Sequence, residues 1–301
     1  MKGPQKIGGI VLVAISAAAF GVMPVFAKTA YAAGTSVFSL LFLRFLVGAV
    51  FMFLLMGIGR LKMPTRREIV IFLLLGAVLY VGQSLTYFTA LNHASASVVA
   101  LLVYTYPALV MLGSAVLFRE RITARKVFAL CLALAGAFII IGTEYHASPM
   151  GIVLSILCAV FYSSYILVSS RVVKVGMGIQ SSAFIMLGAA VVYGAVNLVL
   201  GFSPPAGRNG VVSVALLALV STVLAMWAFF TGMAGTGPST AALVSTLEPV
   251  VTVFSSVLLL SEKLTVHVVV GGCLVLAALL ITSLPSGEEE AGNDTENRLI
   301  T

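Results

Sequence analysis

Long apolar runs, separated by short clusters of Gly, Pro and charged residues, cover nearly the whole chain. They fall at 7–27, 36–57, 69–90, 95–118, 125–143, 150–170, 180–200, 211–232, 239–260 and 266–284. Each is close to the roughly 20 apolar residues with which an α-helix crosses a hydrocarbon core. A membrane β-barrel would instead show short segments of alternating polarity, and these runs are apolar all round. The pattern predicts an all-α integral membrane protein of ten transmembrane helices. The junctions at 90–95 and 233–238 are short turns, Leu91-Asn-His-Ala-Ser95 and Ala234-Gly-Thr-Gly-Pro238.

Composition removes the main competing class. Hydrophobic residues make up 60% of the 301 positions and charged ones 9%, with a mean hydropathy of +1.15. A soluble chain carries about a quarter charged residues, so an ordinary water-soluble domain is excluded. The formal charge is +7, but the basic residues stand in short clusters between apolar runs, as expected beside an anionic inner leaflet and not for nucleic-acid binding. With the N-terminus in the cytoplasm, Lys2, Lys6, Arg60, Lys62, Arg66, Arg67, Arg119, Arg121, Arg125, Lys126, Arg171, Lys174 and Arg298 lie inside. Lys28, Arg208 and Lys263 then lie outside, and Arg44 lies within a span. Thirteen against three predicts a multi-pass protein of the cell's inner (plasma) membrane with both termini cytoplasmic. Lys2, Lys6 and the first apolar run also fit a signal peptide, but a repeat that includes this run argues against its removal. Cys131, Cys158 and Cys273 lack ligand or CxxC spacing and read as apolar packing residues. Residues 285–301, with Glu288, Glu289, Glu290, Asp294 and Glu296, read as a disordered cytoplasmic tail.

A shift of 142 positions lays Gly9-Ile-Val-Leu12 on Gly151-Ile-Val-Leu154, and 97–123 on 239–265 without a gap. Pro107 then meets Pro249, Glu120 meets Glu262 and Thr123 meets Thr265. These three carry more weight than the Leu and Ala identities, which come cheaply in so apolar a chain. The expected units are 7–143 and 150–284, each of five spans. An odd number starts the second copy on the opposite side of the membrane, so the halves are inverted, an architecture common in secondary transporters.

The residues that carry this repeat resemble the drug/metabolite transporter superfamily, specifically EamA-type transporters with two EamA repeats. The similarity runs through Trp227, Gly237-Pro-Ser-Thr-Ala-Ala-Leu243, Leu247-Glu-Pro-Val250, Leu260-Ser-Glu-Lys-Leu-Thr265, Gly271 and Gly272. In the first half it runs through Leu43-Arg44-Phe45, Tyr106-Pro107 and Phe118-Arg-Glu-Arg-Ile-Thr123. Phe20-Gly21 departs from the Trp-Gly pair of many members, which weakens transfer of a Trp-based contact to that site. The resemblance implies ten helices, cytoplasmic termini, and export or exchange of small metabolites by alternating access. It does not select among amino acids (aromatic ones included), purine or nucleoside compounds, cationic drugs and sugar phosphates.

Arg44 and Glu248 are the charged residues deep in predicted spans, where ionisable groups face a bundle interior or a wet cavity. Their depths permit a pair. Arg44 reads as gating or structural, as do Pro107 and Pro249, which break helix hydrogen bonding at matching places. Glu248 reads either as a hydrogen-bonded carboxyl at the Pro249 break or as a contact for a substrate ammonium or a proton. Tyr80, Gln83, Ser84 and Tyr87 share one helix face. Tyr104, Tyr106, Tyr162, Tyr165, Trp227 and Ser245 are candidates to complete the lining. The binding set taken from these is Tyr80, Gln83, Tyr87, Tyr104, Tyr162, Trp227, Ser245 and Glu248. Tyr31 and Tyr145 fit an interfacial belt instead. Glu120 and Glu262 read as helix-terminal ion-pair members.

His93, His146 and His267 have no second ligand at metal spacing, and HExxH, GxSxG and phosphate-loop motifs are absent from the sequence. No catalytic residue, metal or cofactor is therefore expected. The partners expected are a small-molecule substrate and the bilayer, with no nucleic acid, in a monomer or homodimer. The alternative from another class is an intramembrane lipid-handling enzyme or a non-transporting membrane subunit.

Overall fold

The computed structural model describes residues 3–118, 124–141, 148–173, 177–236, 244–245 and 247–283. The expectations for Glu120, Tyr145, His146, the Gly237–Leu243 segment and the 285–301 tail lie outside the described residues. Among the described residues the protein is all helical, with no strand.

The chain forms α1 (Gly3–Gly21), α2 (Met23–Ala32), α3 (Val37–Ile58), α4 (Arg66–Leu74), α5 (Val81–Ala90), α6 (Ala96–Val103) and α7 (Tyr106–Phe118). It continues through α8 (Ala124–Ile141), α9 (Pro149–Val172), α10 (Gly178–Leu200), α11 (Gly207–Ala218), α12 (Ala225–Thr236), α13 (Leu247–Leu260) and α14 (Val266–Ser283). Six helical runs among the described residues have the length and composition to cross a membrane: Ile7–Ala32, Val37–Ile58, Arg66–Ala90, Pro149–Ser169, Gly178–Leu200 and Gly207–Phe229. Leu247–Leu260 and Val266–Ala278 are shorter apolar helices. Helix starts carry the expected caps. Ser36, Thr65, Ser95 and Ser148 accept the N–H groups of Ser39, Glu68, Val98 and Gly151, satisfying donors that have no partner within the helix.

Two turns wider than α-helical interrupt otherwise continuous helices. Leu75–Tyr80 joins α4 to α5, and Leu219–Leu224 joins α11 to α12. At their ends the Val81 and Ala225 N–H groups reach carbonyls five residues back, Gly76 and Val220. Such π turns recur at functional sites. Gly76 is needed where it stands, since a Cβ there would strike the Ile185 carbonyl of α10. Gly188 meets the Leu73 carbonyl in the same way, so backbones approach closely on both sides of this crossing.

Packing between the halves repeats with the halves exchanged. Helix α1 lies on α12 as α9 lies on α5, while α3 pairs with α10 and α8 with α14. Ser16 Oγ donates to the Ala225 carbonyl at 2.7 Å, and at the matching positions the Gln83 amide donates to Cys158 Sγ at 3.7 Å. Likewise Gly21 abuts the Glu248 carbonyl, and its counterpart Ser163 donates to the Tyr106 carbonyl at 3.1 Å. The cysteine expectation divides: Cys158 is buried against Gln83, whereas Cys131 and Cys273 are exposed.

Candidate functional site

The helix breaks bring the candidate residues together. Helix α6 ends at Val103, Tyr104 and Thr105 form a turn, and α7 starts at Tyr106 with Pro107 second. Helix α13 starts at Leu247, with Glu248 and the buried Pro249 next. The expected mid-helix kinks are thus helix starts. Proline suits the first turn because its missing N–H has no intrahelical partner there.

At this double break the Tyr104 hydroxyl comes close to the Glu248 side chain. Glu248 is also within electrostatic reach of Tyr87, Tyr106 and Tyr162. From Tyr104 a chain of rings runs through the molecule. The centroids are 5.9 Å apart for Tyr104–Tyr106, 4.5 Å for Tyr106–Tyr162 and 6.3 Å for Tyr162–Tyr165. The chain continues at 5.2 Å from Tyr165 to Tyr80, 5.4 Å from Tyr80 to Phe45 and 5.8 Å from Phe45 to Tyr193. Both halves contribute rings. Tyr80, Tyr104, Tyr106, Tyr162, Tyr165 and Glu248 all retain partial exposure while packed against other helices.

Arg44 stands at the far end. It is buried, its Nε donates to Thr222 Oγ1 at 3.0 Å, and its guanidinium lies 5.1 Å from the Phe45 centroid and 5.0 Å from that of Phe88. Tyr80 and Thr222 are equivalent positions of the two repeats. Each belongs to a wide turn, and together they flank the Arg44-Phe45 pair. Arg44 and Glu248 form no ion pair with each other.

Of the predicted lining, Tyr80, Tyr104, Tyr162 and Glu248 converge. Tyr87 is buried against Phe88, within electrostatic reach of both Arg44 and Glu248. Gln83 points to Cys158, Ser245 is half-buried beside the break, and Ser84 bonds the Tyr193 hydroxyl at 2.8 Å. Trp227 is 39% exposed on α12 and does not join the rings. Sequence reasoning missed Phe45, Phe88 and Tyr193. Their one available signal was an aromatic inside an apolar run, which a lipid-facing ring also gives. The Tyr31 hydroxyl donates to the Phe88 carbonyl at 2.9 Å. Among the described residues no group of His, Cys, Asp and Glu is placed to hold a metal.

Apolar helices of spanning length around a polar and aromatic interior define a multi-pass membrane protein. The model of the EamA-like transporter family matches the chain twice, at 7–142 and 149–284, and the chain belongs to that family. An uncharacterized transporter of Bacillus subtilis (strain 168), YcbK, is 26% identical over 306 residues, covering 95% of this chain and 97% of its own. An uncharacterized transporter of Archaeoglobus fulgidus is 27% identical over 289 residues, covering 91% and 95%. A protein crystal structure 19% identical in sequence has the same fold, with a TM-score of 0.66 over 94% of this chain and 97% of that one.

Proposed function

We propose that the chain is a secondary transporter of the plasma membrane that exports or exchanges small amphipathic metabolites by alternating access. Amino acids, aromatic ones included, are the leading class. In this reading ten helices form two inverted five-helix repeats, and both termini are cytoplasmic. The carrying observation is the ring chain from Tyr104 to Tyr193, drawn from both halves and joined at one end to Glu248. Rings offer apolar contact, while their hydroxyls and Glu248 bond a polar head. Glu248 takes a substrate ammonium or a proton. Interior contacts that recur with the halves exchanged support the inverted arrangement.

Uptake and efflux in proteoliposomes with a panel of amino acids, nucleosides and organic cations tests the reading. Saturable movement of a panel member, abolished by losing the rings, is the expected result. No movement of any member in either direction would leave the alternative, a non-transporting subunit or an intramembrane lipid-handling enzyme.

A further inference from the structure

A guanidinium carries five N–H donors in a rigid fork. Arg44 directs one, Nε, to Thr222. Among the described residues the remaining four have no acceptor, and no carboxylate pairs with the charge. The residue is 4% exposed, yet its terminal nitrogens are not among the buried polar atoms sealed without a partner, so they keep some accessible surface. The stem and ring-facing side are fixed: Thr222 holds Nε, and the Phe45 and Phe88 rings lie within cation–π range of the guanidinium. A guanidinium kept only for the fold would direct its fork at helix-end carbonyls. This one is braced on one side and leaves its bidentate edge free, deep among apolar helices where an unpaired cation is costly.

We propose that this edge of Arg44 seats the carboxylate of the transported molecule. The substrate class is then an organic acid with an apolar body, which lies along the rings from Phe45 towards Tyr104. A zwitterion in addition presents its ammonium to Glu248. Thr222 is a positioning residue, since it touches only Nε. The proposal rests on the reading of the ring-lined space as the substrate site.

The test measures binding to the purified full chain in detergent by calorimetry, with three probes of similar shape: 3-phenylpropanoate, its neutral amide 3-phenylpropanamide, and 2-phenylethylamine. In the wild type the acid binds at least about tenfold more tightly than the amide, the scale of charge-assisted hydrogen bonds. Arg44→Gln removes that preference and weakens the amine far less than the acid. Equal affinity for acid and amide in the wild type overturns the proposal. So does a preference that survives Arg44→Gln, or an equal loss for all three probes. If Arg44→Gln does not fold, the wild-type comparison decides alone. Counterflow of 3-phenylpropanoate in proteoliposomes separates the two readings: no counterflow with the acid preference intact removes the transport function and keeps the carboxylate seat.

Discussion

The Lys28 ammonium lies 3.3 Å from Glu262 Oε1 and joins residues 234 positions apart. The same carboxylate accepts the Ala96 N–H at 2.7 Å, the Ser97 N–H at 3.2 Å and the Ser97 hydroxyl at 2.9 Å. Lys28 also donates to the Ala94 carbonyl at 3.1 Å. Glu262, from the connection between α13 and α14 in the second half, thus caps α6 in the first, where a negative charge meets otherwise unpartnered N–H groups.

Glu262→Ala is therefore expected to lower thermal stability in detergent by about 1–2 kcal/mol, the range of a lost helix cap. Lys28→Met should cost less, since a partly exposed ion pair contributes about 0–1 kcal/mol. Equal melting of all three proteins would sink the capping role.

Ring loss should act on transport. At equal membrane abundance, Tyr80→Ala, Tyr104→Ala and Tyr162→Ala are each expected to weaken apparent substrate affinity about fivefold to tenfold. Phe254→Leu, on an exposed face of α13, is the control. Unchanged affinity in all three tyrosine variants would remove the ring chain from the site.

Glu248→Gln keeps shape and polarity beside Tyr104 but cannot ionise. Transport is expected to fall, and the residual rate to lose its dependence on pH. A wild-type rate with an unchanged pH profile would leave Glu248 only a role at the start of α13.

Gly76→Ala and Gly188→Ala drive a methyl group into backbone carbonyls of the facing helix. Overpacking of this kind costs about 1–3 kcal/mol, so both variants should show less folded protein by detergent size exclusion. Gly57→Ala meets nothing nearby and should behave like the parent.

Orientation is read by labelling. Single cysteines at His93 and Arg208 are expected to react with an impermeant thiol reagent from outside intact cells, and those at Arg66 and Arg171 are not. All four positions are exposed. The opposite pattern would reverse the assignment of faces.

Length and composition alone located the apolar runs, because a spanning helix depends on both and little else. The repeat was legible at Pro107 and Pro249, although their role as helix starts depends on the turn before them. The wide turns were not legible. Leu75-Gly-Ala-Val-Leu-Tyr80 has an ordinary helical composition, and only the close approach of α10 distinguishes it. Tyr104 and Tyr162 stood out as mid-span tyrosines. Phe45 and Tyr193 did not, since a ring against Arg44 and a ring against lipid look alike in sequence. The partner of Glu262 could not be read either, because Lys28 arrives from the opposite end of the chain.

A wide turn also holds one residue more than an α-helical turn, and this creates local slack in chain length. Removing one residue between 75 and 80 takes up that slack, so the helix still closes and Tyr80, Gln83 and Tyr87 keep roughly their present facing relative to α4. The same deletion inside α10, which has no such turn, finds nothing to absorb it. In the second half the wide turn begins two positions later than the repeat register would place it, at Leu219. One half therefore closes its wide turn on Tyr80, whose ring meets Phe45, while the other carries Thr222 within its own, whose hydroxyl meets Arg44. Around Arg44 the two repeats are therefore not interchangeable.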